Sequence, residues 1–265
     1  MRGAGGERVF RAATITALAL LALFFFSIII SLLTHTNWDT FIRALVSEEI
    51  LFAIRLSTTT ATIAAIISIL IAVPVAYAIS RNDFPGKDLV DSLLDLPIVI
   101  SPVALGAALL VFFNTPVGSA INNNVIRFVF AVPGIVLAQF TVISALAIRL
   151  LKSTFDGIDP RYEQVARTLG CSKPEAFFSV SLPLAKDGLI AAVILTWARA
   201  VGEFGATVTL AGATTLKTET LPTAISLSLA SANVEKAIAV IFVLIIIAII
   251  ALLAIRKLIG RRYQI

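Results

Sequence analysis

The chain has 265 residues and a net charge of +5, with 58% hydrophobic and only 14% charged residues. A water-soluble domain carries about a quarter charged residues, so this composition excludes an ordinary soluble protein. The single cysteine, Cys171, excludes an intrachain disulfide, and with one histidine, His35, it leaves no dedicated His/Cys zinc cluster. We therefore expect an integral membrane protein.

Six stretches with little or no charge are long enough to cross a membrane, which takes about 20 apolar residues. The first follows Arg2, Arg8 and Arg11 and is longer than the core of a signal peptide, so we expect it to be retained. The predicted transmembrane helices are 12–33, 56–80, 93–113, 132–150, 185–210 and 237–255. The predicted fold class is all-α, a polytopic helix bundle formed by a single domain, residues 1–265.

Lysine and arginine predict the orientation, because cytoplasmic loops of membrane proteins are enriched in both. We consider a cytoplasmic N-terminus. Fifteen basic residues then lie in the inside segments, which are 1–11, 81–95, 149–187 and 256–265. Five lie in the outside segments, which are 34–55, 114–127 and 210–236. We therefore expect a multi-pass protein of the cell membrane with both termini in the cytoplasm.

Prolines interrupt or open several predicted spans. Pro74 lies in the second span, Pro97 and Pro102 lie in the third, and Pro133 opens the fourth. A proline frees a backbone carbonyl, which a neighbour or water in a cavity must satisfy. The pattern fits a packing kink or a break that lines a conduit. On the second interpretation Ser101 and Pro102 are candidate pathway or gate residues.

Two charges, Arg199 and Glu203, interrupt the fifth predicted span at a spacing of four residues. Charge inside a membrane is costly and usually faces a partner or a wet cavity. The two side chains either neutralise each other near the outer interface or line a gate at the outer end of a pathway. We favour a gate or scaffold role for Arg199, because tight binding of an anion would slow its release.

The longest polar segment on the predicted cytoplasmic side, 156–183, is predicted to form two short helices. Asp159 is a natural N-cap for the first, and Gly170 suits the left-handed residue that follows its end. Ser172 and Glu175 have the spacing of a capping box at the start of the second.

The first of these helices, with Pro160 at its first position, is predicted to be amphipathic. Its apolar face is formed by Tyr162, Val165, Ala166 and Leu169. Another face carries Glu163 and Arg167 at the spacing of an ion pair. Helices this short are unstable alone, so this one must pack on its own bundle, on lipid headgroups or in a groove of a soluble partner.

The same loop resembles the cytoplasmic motif of permease subunits of binding-protein-dependent ABC importers. That motif reads Glu-Ala-Ala, three residues, Gly, nine residues, Ile, one residue and Leu-Pro. Here Gln164-Val165-Ala166 stands at Glu-Ala-Ala, and Gly170, Val180 and Leu182-Pro183 follow at the motif's spacing. The first two positions differ, and Glu163 is expected to take over the acidic role. The resemblance extends over residues 50–260.

Three further stretches, 81–87, 96–106 and 198–207, are similar to molybdate/tungstate permeases, with sulfate/thiosulfate permeases close behind. The resemblance implies a transport subunit, not an enzyme, that pairs as a homodimer around an oxyanion pathway. It implies two cytoplasmic ATPase subunits and an extracytoplasmic substrate-binding protein, with membrane lipid around the bundle and no nucleic acid. The implied coupling-helix residues, which would dock on the ATPase, are Tyr162, Glu163, Gln164, Val165, Ala166, Arg167, Leu169 and Gly170.

The chain itself is expected to bind no cofactor or metal, and ATP with Mg would bind to the partner ATPase. Gly86-Lys87 lacks the rest of a phosphate-binding P-loop. Two alternatives stay open. One is a permease of the same kind for sulfate/thiosulfate, phosphate or another solute. The other is a secondary transporter or channel, although such proteins often show internal repeats and none is evident here.

Overall fold

The computed structural model describes residues 3–34 and 38–259, which form helices joined by short loops. His35, Arg2 and the basic residues beyond position 259 lie outside the described residues. The α-helices in chain order are α1 (Gly3–Thr34), α2 (Trp38–Leu45), α3 (Glu48–Arg81), α4 (Lys87–Val99), α5 (Pro102–Phe113), α6 (Pro116–Asn124), α7 (Val132–Asp156), α8 (Arg161–Thr168), α9 (Lys173–Ala176), α10 (Leu182–Leu184), α11 (Lys186–Val201), α12 (Gly205–Ala211), α13 (Leu221–Ala230) and α14 (Val234–Ile259). A π-helical turn, Phe177–Ser181, joins α9 to α10.

Four helices in the described part of the chain are long and apolar enough to cross a membrane. They lie in α1, α3, α7 and α14 and correspond to the first, second, fourth and sixth predicted spans. Two bent pairs raise the number to six when each pair is counted as one span, namely α4 with α5 and the segment Lys173–Leu184 with α11. The predicted all-α membrane bundle with about six spans is therefore confirmed.

The third predicted span, 93–113, is wrong as a single helix, because α4 and α5 meet at an angle of 110°. Ser101 is extended, and its hydroxyl accepts a hydrogen bond from the Ala104 N–H at 3.3 Å. A residue before proline avoids the helical conformation, and Pro102 has no N–H with which to continue a helix. The Ser-Pro pair therefore ends one helix and caps the next.

The fifth predicted span, 185–210, is also interrupted. Its first part, α11, begins after a bend of 71° and ends at Val201. Residues 202–204 are not helical, and α12 begins at Gly205. Of the two charges predicted inside one span, Arg199 lies in the last turn of α11 and Glu203 lies in the break before α12.

The core of the bundle forms where α3 packs along α7, with α11, α13 and α14 completing it. Small side chains let two helix backbones approach closely in a membrane protein. Fully buried alanines accordingly dominate this interface, and they are Ala53, Ala61, Ala64, Ala76 and Ala147. A separate apolar cluster joins α12 to α5 and the first half of α7.

The outer surface of the bundle is rich in exposed isoleucine, leucine and phenylalanine, above all on α1, α3 and α14. In water such a surface would drive aggregation, whereas hydrocarbon accepts it without cost. Both helical ends of α3 and α14 carry charged residues, Glu48 and Arg81 on α3 and Glu235 and Lys257 on α14. This arrangement fits helices that cross a bilayer.

Candidate functional site

The predicted loop 156–183 folds as two capped helical segments. The Asp159 carboxylate accepts a hydrogen bond from the Arg161 N–H at 2.9 Å. Pro160 occupies the cap position, so α8 begins at Arg161, one residue later than predicted. Local chemistry therefore starts α8 where the sequence indicated, within a residue.

The end of α8 is a Schellman motif, in which a left-handed residue turns the chain back on the last helical carbonyls. The Cys171 N–H donates to the Ala166 carbonyl at 3.1 Å, and the Gly170 N–H donates to the Arg167 carbonyl at 3.1 Å. Gly170 has φ +100°, a conformation that costs other residues about 1–2 kcal/mol. The predicted role of Gly170 as the helix stop is confirmed.

The second segment opens with the predicted capping box. The Ser172 N–H donates to the Glu175 carboxylate at 2.7 Å, and the Glu175 N–H donates to the Ser172 hydroxyl at 3.4 Å. This bond to the Ser172 N–H lowers the pKa of the Glu175 carboxyl. The segment then continues through the π-helical turn to the bend before α11.

The apolar face of α8 does not pack on the chain's own bundle. Tyr162 is 59% exposed, Val165 is 58% exposed and Leu169 is 82% exposed. We call these three side chains the docking face. Their exposure excludes, for this structure, the alternative in which they stabilise the loop against the rest of the described chain.

The opposite face of α8 holds the helix to the bundle. Glu163 accepts hydrogen bonds from Arg81 Nε at 2.8 Å and from the Tyr77 hydroxyl at 2.7 Å. A second Arg81 nitrogen donates to the Ile158 carbonyl at 2.9 Å, just before α8. Both carboxylate oxygens of Glu163 are thus used, and the predicted pairing of Glu163 with Arg167 is wrong.

Charge is retained at Glu163 despite its burial. Burial by itself raises the pKa of this carboxyl, but the hydrogen bonds from Arg81 and Tyr77 lower the pKa by more than burial raises it. The net shift of the pKa is therefore downward. The side chains of Arg81 and Glu163 are 10% and 13% exposed. A largely buried ion pair therefore connects α8 to the end of α3, and the Tyr77 hydroxyl donates a further hydrogen bond to its carboxylate.

An aromatic cluster lies beneath this ion pair. The Tyr77 ring lies 5.6 Å from the ring of Phe155 and 4.6 Å from that of Phe177, measured between centroids. Such edge-to-face pairs add about 0.5–1.5 kcal/mol beyond their buried area. The cluster joins α3, α7 and the π-helical turn, so the whole loop rests on a rigid support.

The second predicted site, Arg199 with Glu203, lies at the α11–α12 break. Arg199 Nη1 lies 2.8 Å from the Glu203 carboxylate, so the predicted pair is confirmed. The other Glu203 oxygen accepts a hydrogen bond from the Ala206 N–H at 3.0 Å, in the first turn of α12. Glu203 is 1% exposed, whereas the Arg199 side chain is 40% exposed. Glu203 is therefore a buried cap, and Arg199 reaches the surface.

A neighbouring helix stabilises the same break. Gln139 of α7 is buried, and its amide donates to the Ala200 carbonyl at 3.0 Å. That carbonyl lies in the last turn of α11, where the helix leaves acceptors unsatisfied. The break is therefore held from both sides, by Glu203 at the start of α12 and by Gln139 at the end of α11.

The other predicted pathway residues lie beside this break. A Cβ atom added to Gly205 would lie 3.1 Å from Pro102 Cβ, and one added to Gly106 would lie 2.8 Å from the Ala206 backbone. Glycines thus let α5 and α12 touch through their backbones. The structure brings the start of α5, with Ser101 and Pro102, next to the Glu203 segment.

One ion network was missed in the sequence. Arg149 on α7 binds Asp91 at 3.3 Å and forms a bidentate pair with Asp95, both on α4. It holds α4 against α7 next to the loop end of the bundle. Arg149 lies 54 residues from Asp95 and 58 from Asp91 in sequence, so no local spacing indicated the contact.

The described residues contain no group of three or more His, Cys, Asp or Glu side chains that could hold a metal ion. The two candidate sites are α8, a supported surface helix at one end of the bundle, and the α11–α12 break, which Glu203 caps towards the other end.

The apolar helix bundle and the exposed face of α8 together define an α-helical membrane subunit with a supported loop helix between two spans. A family model described as "Binding-protein-dependent transport system inner membrane component" matches residues 68–264. The chain belongs to this family. It is a multi-pass membrane transport subunit, as the loop motif predicted, and not an enzyme.

Relatives extend the match over most of the chain. A probable molybdenum ABC transporter permease of Haloferax volcanii is 37% identical over 80% of this chain and 77% of its own length. The molybdate/tungstate permease WtpB of Thermococcus kodakarensis is 37% identical over 67% of this chain and 68% of its own. The sulfate permease CysW of Synechococcus elongatus is 37% identical over 69% of this chain and 64% of its own.

The fold is also similar to that of a solved transporter. A chain in the crystal structure of a bacterial alginate ABC transporter, in complex with an alginate pentasaccharide-bound periplasmic protein, superposes with a TM-score of 0.76. The match covers 96% of both chains at 18% identity. This chain therefore shares its helical arrangement with a chain of that transporter.

Proposed function

We propose that this chain forms the translocation pathway of an ABC importer for an oxyanion, with molybdate or tungstate as the first candidate. Two copies pair around the pathway, and ATP with Mg binds to two separate cytoplasmic ATPase subunits. An extracytoplasmic binding protein delivers the substrate, and both termini lie in the cytoplasm. The relatives named for molybdenum and for molybdate/tungstate support this choice.

The observation that carries the proposal is the docking face of α8. An apolar surface of Tyr162, Val165 and Leu169 is exposed on a helix that is capped at both ends. Exposed apolar helix faces of this kind bind in a groove of a partner. Of the implied docking residues, Glu163, Gln164 and Arg167 lie on a different face of α8 from the docking face, and Glu163 holds α8 to α3. Gly170 turns the chain away from the groove.

Glu203 and its surroundings act as the gate or scaffold of the pathway. A helix interrupted inside a membrane is tolerated where its freed backbone groups are satisfied or line a cavity. Ser101, just before α5, and Gly202, in the break, are both exposed. In the homodimer this surface faces the second copy across the pathway.

The test is co-purification of the tagged chain with its ATPase from mild detergent. Val165→Asp places a charge in the docking face and is expected to abolish ATPase binding while the chain remains folded. Val117→Asp is the matched control, since Val117 is a valine of α6 with 65% exposure and lies before α7, away from the loop. Equal ATPase recovery with both variants would refute the docking model.

The substrate is tested separately with the reconstituted complex and its binding protein. Uptake of labelled molybdate or tungstate that depends on ATP and is not displaced by sulfate supports the first candidate. The likeness to the sulfate permease favours sulfate as the second candidate. Sulfate uptake without molybdate competition would select it.

A further inference from the structure

A cleft of about 950 Å³ lies between the end of α3, the inner side of α8 and the segment from α9 to α11. Along α8 it is lined by Pro160, Glu163, Gln164 and Arg167, which follow the spacing of one helix face. The docking face points the other way. The cleft is therefore a separate surface, available while α8 is bound to a partner.

One half of the cleft is apolar. Its wall is formed by Ile69, Leu70 and Val73 of α3, with Phe178 and Leu189 opposite. Leu70 and Phe178 are more than half exposed. This half continues into a second apolar groove of about 530 Å³ between α3, α11 and α14, which shares Ile69 and Leu70 with it. The cleft and this second groove thus form one apolar surface groove along the bundle.

The other half carries positive charge. Arg81, Arg167 and Lys173 line it together with one carboxylate, that of Glu163. Arg81 and Glu163 neutralise each other in their ion pair. Arg167 and Lys173 form no salt bridge with the described residues and are exposed, so the cleft presents two free positive charges.

We propose that this cleft binds an anionic phospholipid of the leaflet next to the 156–183 loop. The headgroup phosphate lies between Arg167 and Lys173, and the acyl chains follow the apolar wall into the groove beside α14. A phosphodiester is a fixed anion, so it matches the two free charges, and an acyl chain matches the apolar continuation. A protein segment would need a negative charge and a long apolar run within one short stretch to match the cleft in the same way.

The position of the cleft agrees with this occupant. It lies where apolar α3 ends and the polar loop begins, which is the level of lipid headgroups for a spanning helix. Each Lys or Arg near an anionic membrane surface strengthens binding by about fivefold. Two such residues would give phosphatidylglycerol about a thirtyfold preference over phosphatidylcholine with the same chains.

The experiment is native mass spectrometry of the detergent-purified complex, titrated with phosphatidylglycerol or phosphatidylcholine of identical acyl chains. The double variant Arg167→Gln/Lys173→Gln is expected to weaken phosphatidylglycerol binding by about thirtyfold and to leave phosphatidylcholine unchanged. The control variant Arg127→Gln/Lys217→Gln removes the same charge from residues outside the cleft and is expected to change neither affinity.

A second variant, Val73→Trp, fills the apolar wall without changing charge and is expected to weaken both lipids. Equal affinity of the two lipids, or loss of phosphatidylglycerol binding in the control variant, would overturn the proposal. So would a cross-link from Lys173 to the ATPase or to a second copy in a complex that retains no phospholipid. That result would assign the cleft to a protein interface.

Discussion

The ion pair between Arg81 and Glu163 gives the most direct test of how the loop is held. Glu163→Ala removes one partner and leaves the guanidinium of Arg81 desolvated and without its carboxylate. Breaking a buried pair in this way costs about 3–5 kcal/mol. The two side chains are 10% and 13% exposed, so we expect the lower end of that range, about 3 kcal/mol, for the local stability of α8.

Two companion variants separate charge from packing. Glu163→Gln keeps one acceptor oxygen and is expected to lose about half as much, because hydrogen bonds to charged groups are worth about 1.5–3 kcal/mol. Glu175→Gln is the control on the same loop, because this exposed carboxylate caps α9 by bonding to Ser172. It is expected to leave α8 in place.

The assay is limited trypsin cleavage of the purified protein at Arg161 and Arg167 of α8, followed over time. Local opening of about 3 kcal/mol corresponds to about a hundredfold change in the open population, and cleavage should accelerate accordingly in Glu163→Ala. ATPase binding should weaken in parallel. Unchanged cleavage in Glu163→Ala would show that the ion pair does not hold α8, and the support model would be wrong.

The pH dependence of α8 opening tests the same ion pair independently. The pKa of Glu163 in the folded loop is lowered from its ordinary value of 4.5, because Arg81 and Tyr77 donate hydrogen bonds to the carboxylate, so its ionised form stabilises the folded loop. This stabilisation is fully present above pH 4.5 and is lost as the pH falls through the lowered pKa. Because trypsin loses its activity in acid, opening of α8 is followed here by amide hydrogen exchange. The opening equilibrium of the wild-type chain should be constant from neutral pH to about pH 5 and rise below pH 4.5, whereas Glu163→Gln should show no such rise.

Three further outcomes are expected. Gly106→Val should separate α5 from α12 and lower the stability in detergent by about 1–3 kcal/mol, as measured by thermal unfolding. The control Gly6→Val should leave the stability unchanged, because no atom lies within 4 Å of a Cβ added to Gly6. Gly170→Val should uncouple ATP hydrolysis from uptake, since its cost is a backbone cost at positive φ and no neighbour clashes; normal coupled uptake would contradict this. Glu203→Gln should reduce uptake more than Arg199→Gln, because the carboxylate is the buried partner, and equal uptake in both variants would remove the gate assignment.

The sequence could predict those features that depend on neighbouring residues. Gly170 and the Ser172–Glu175 box act as predicted. Asp159 accepts from the N–H two residues on, although Pro160 takes the cap position predicted for it. Arg199 and Glu203 also pair at their local spacing. Helix ends and spans follow from composition and short-range chemistry, which a single sequence contains.

Contacts between distant segments could not be predicted in the same way. Glu163 has a suitable partner four residues away in Arg167, yet it binds Arg81, which lies 82 residues away. The distant pair lies beside Tyr77, which also donates to the Glu163 carboxylate, whereas an exposed pair on a helix surface is worth little. Sequence spacing carries no information on that burial.

The two candidate sites are joined by one short helix. The 156–183 loop leads into α11, whose 16 residues span about 24 Å and end at the break where Glu203 caps α12. Since α11 packs on α3, α7 and α14, it cannot bend freely between the loop and the break. We therefore expect a displacement of the loop by a partner to reach α11 through the 71° bend before it, and the buried Glu203 bond to α12 to pass it to the backbone contact with α5. The loop and the break thus lie at the two ends of α11.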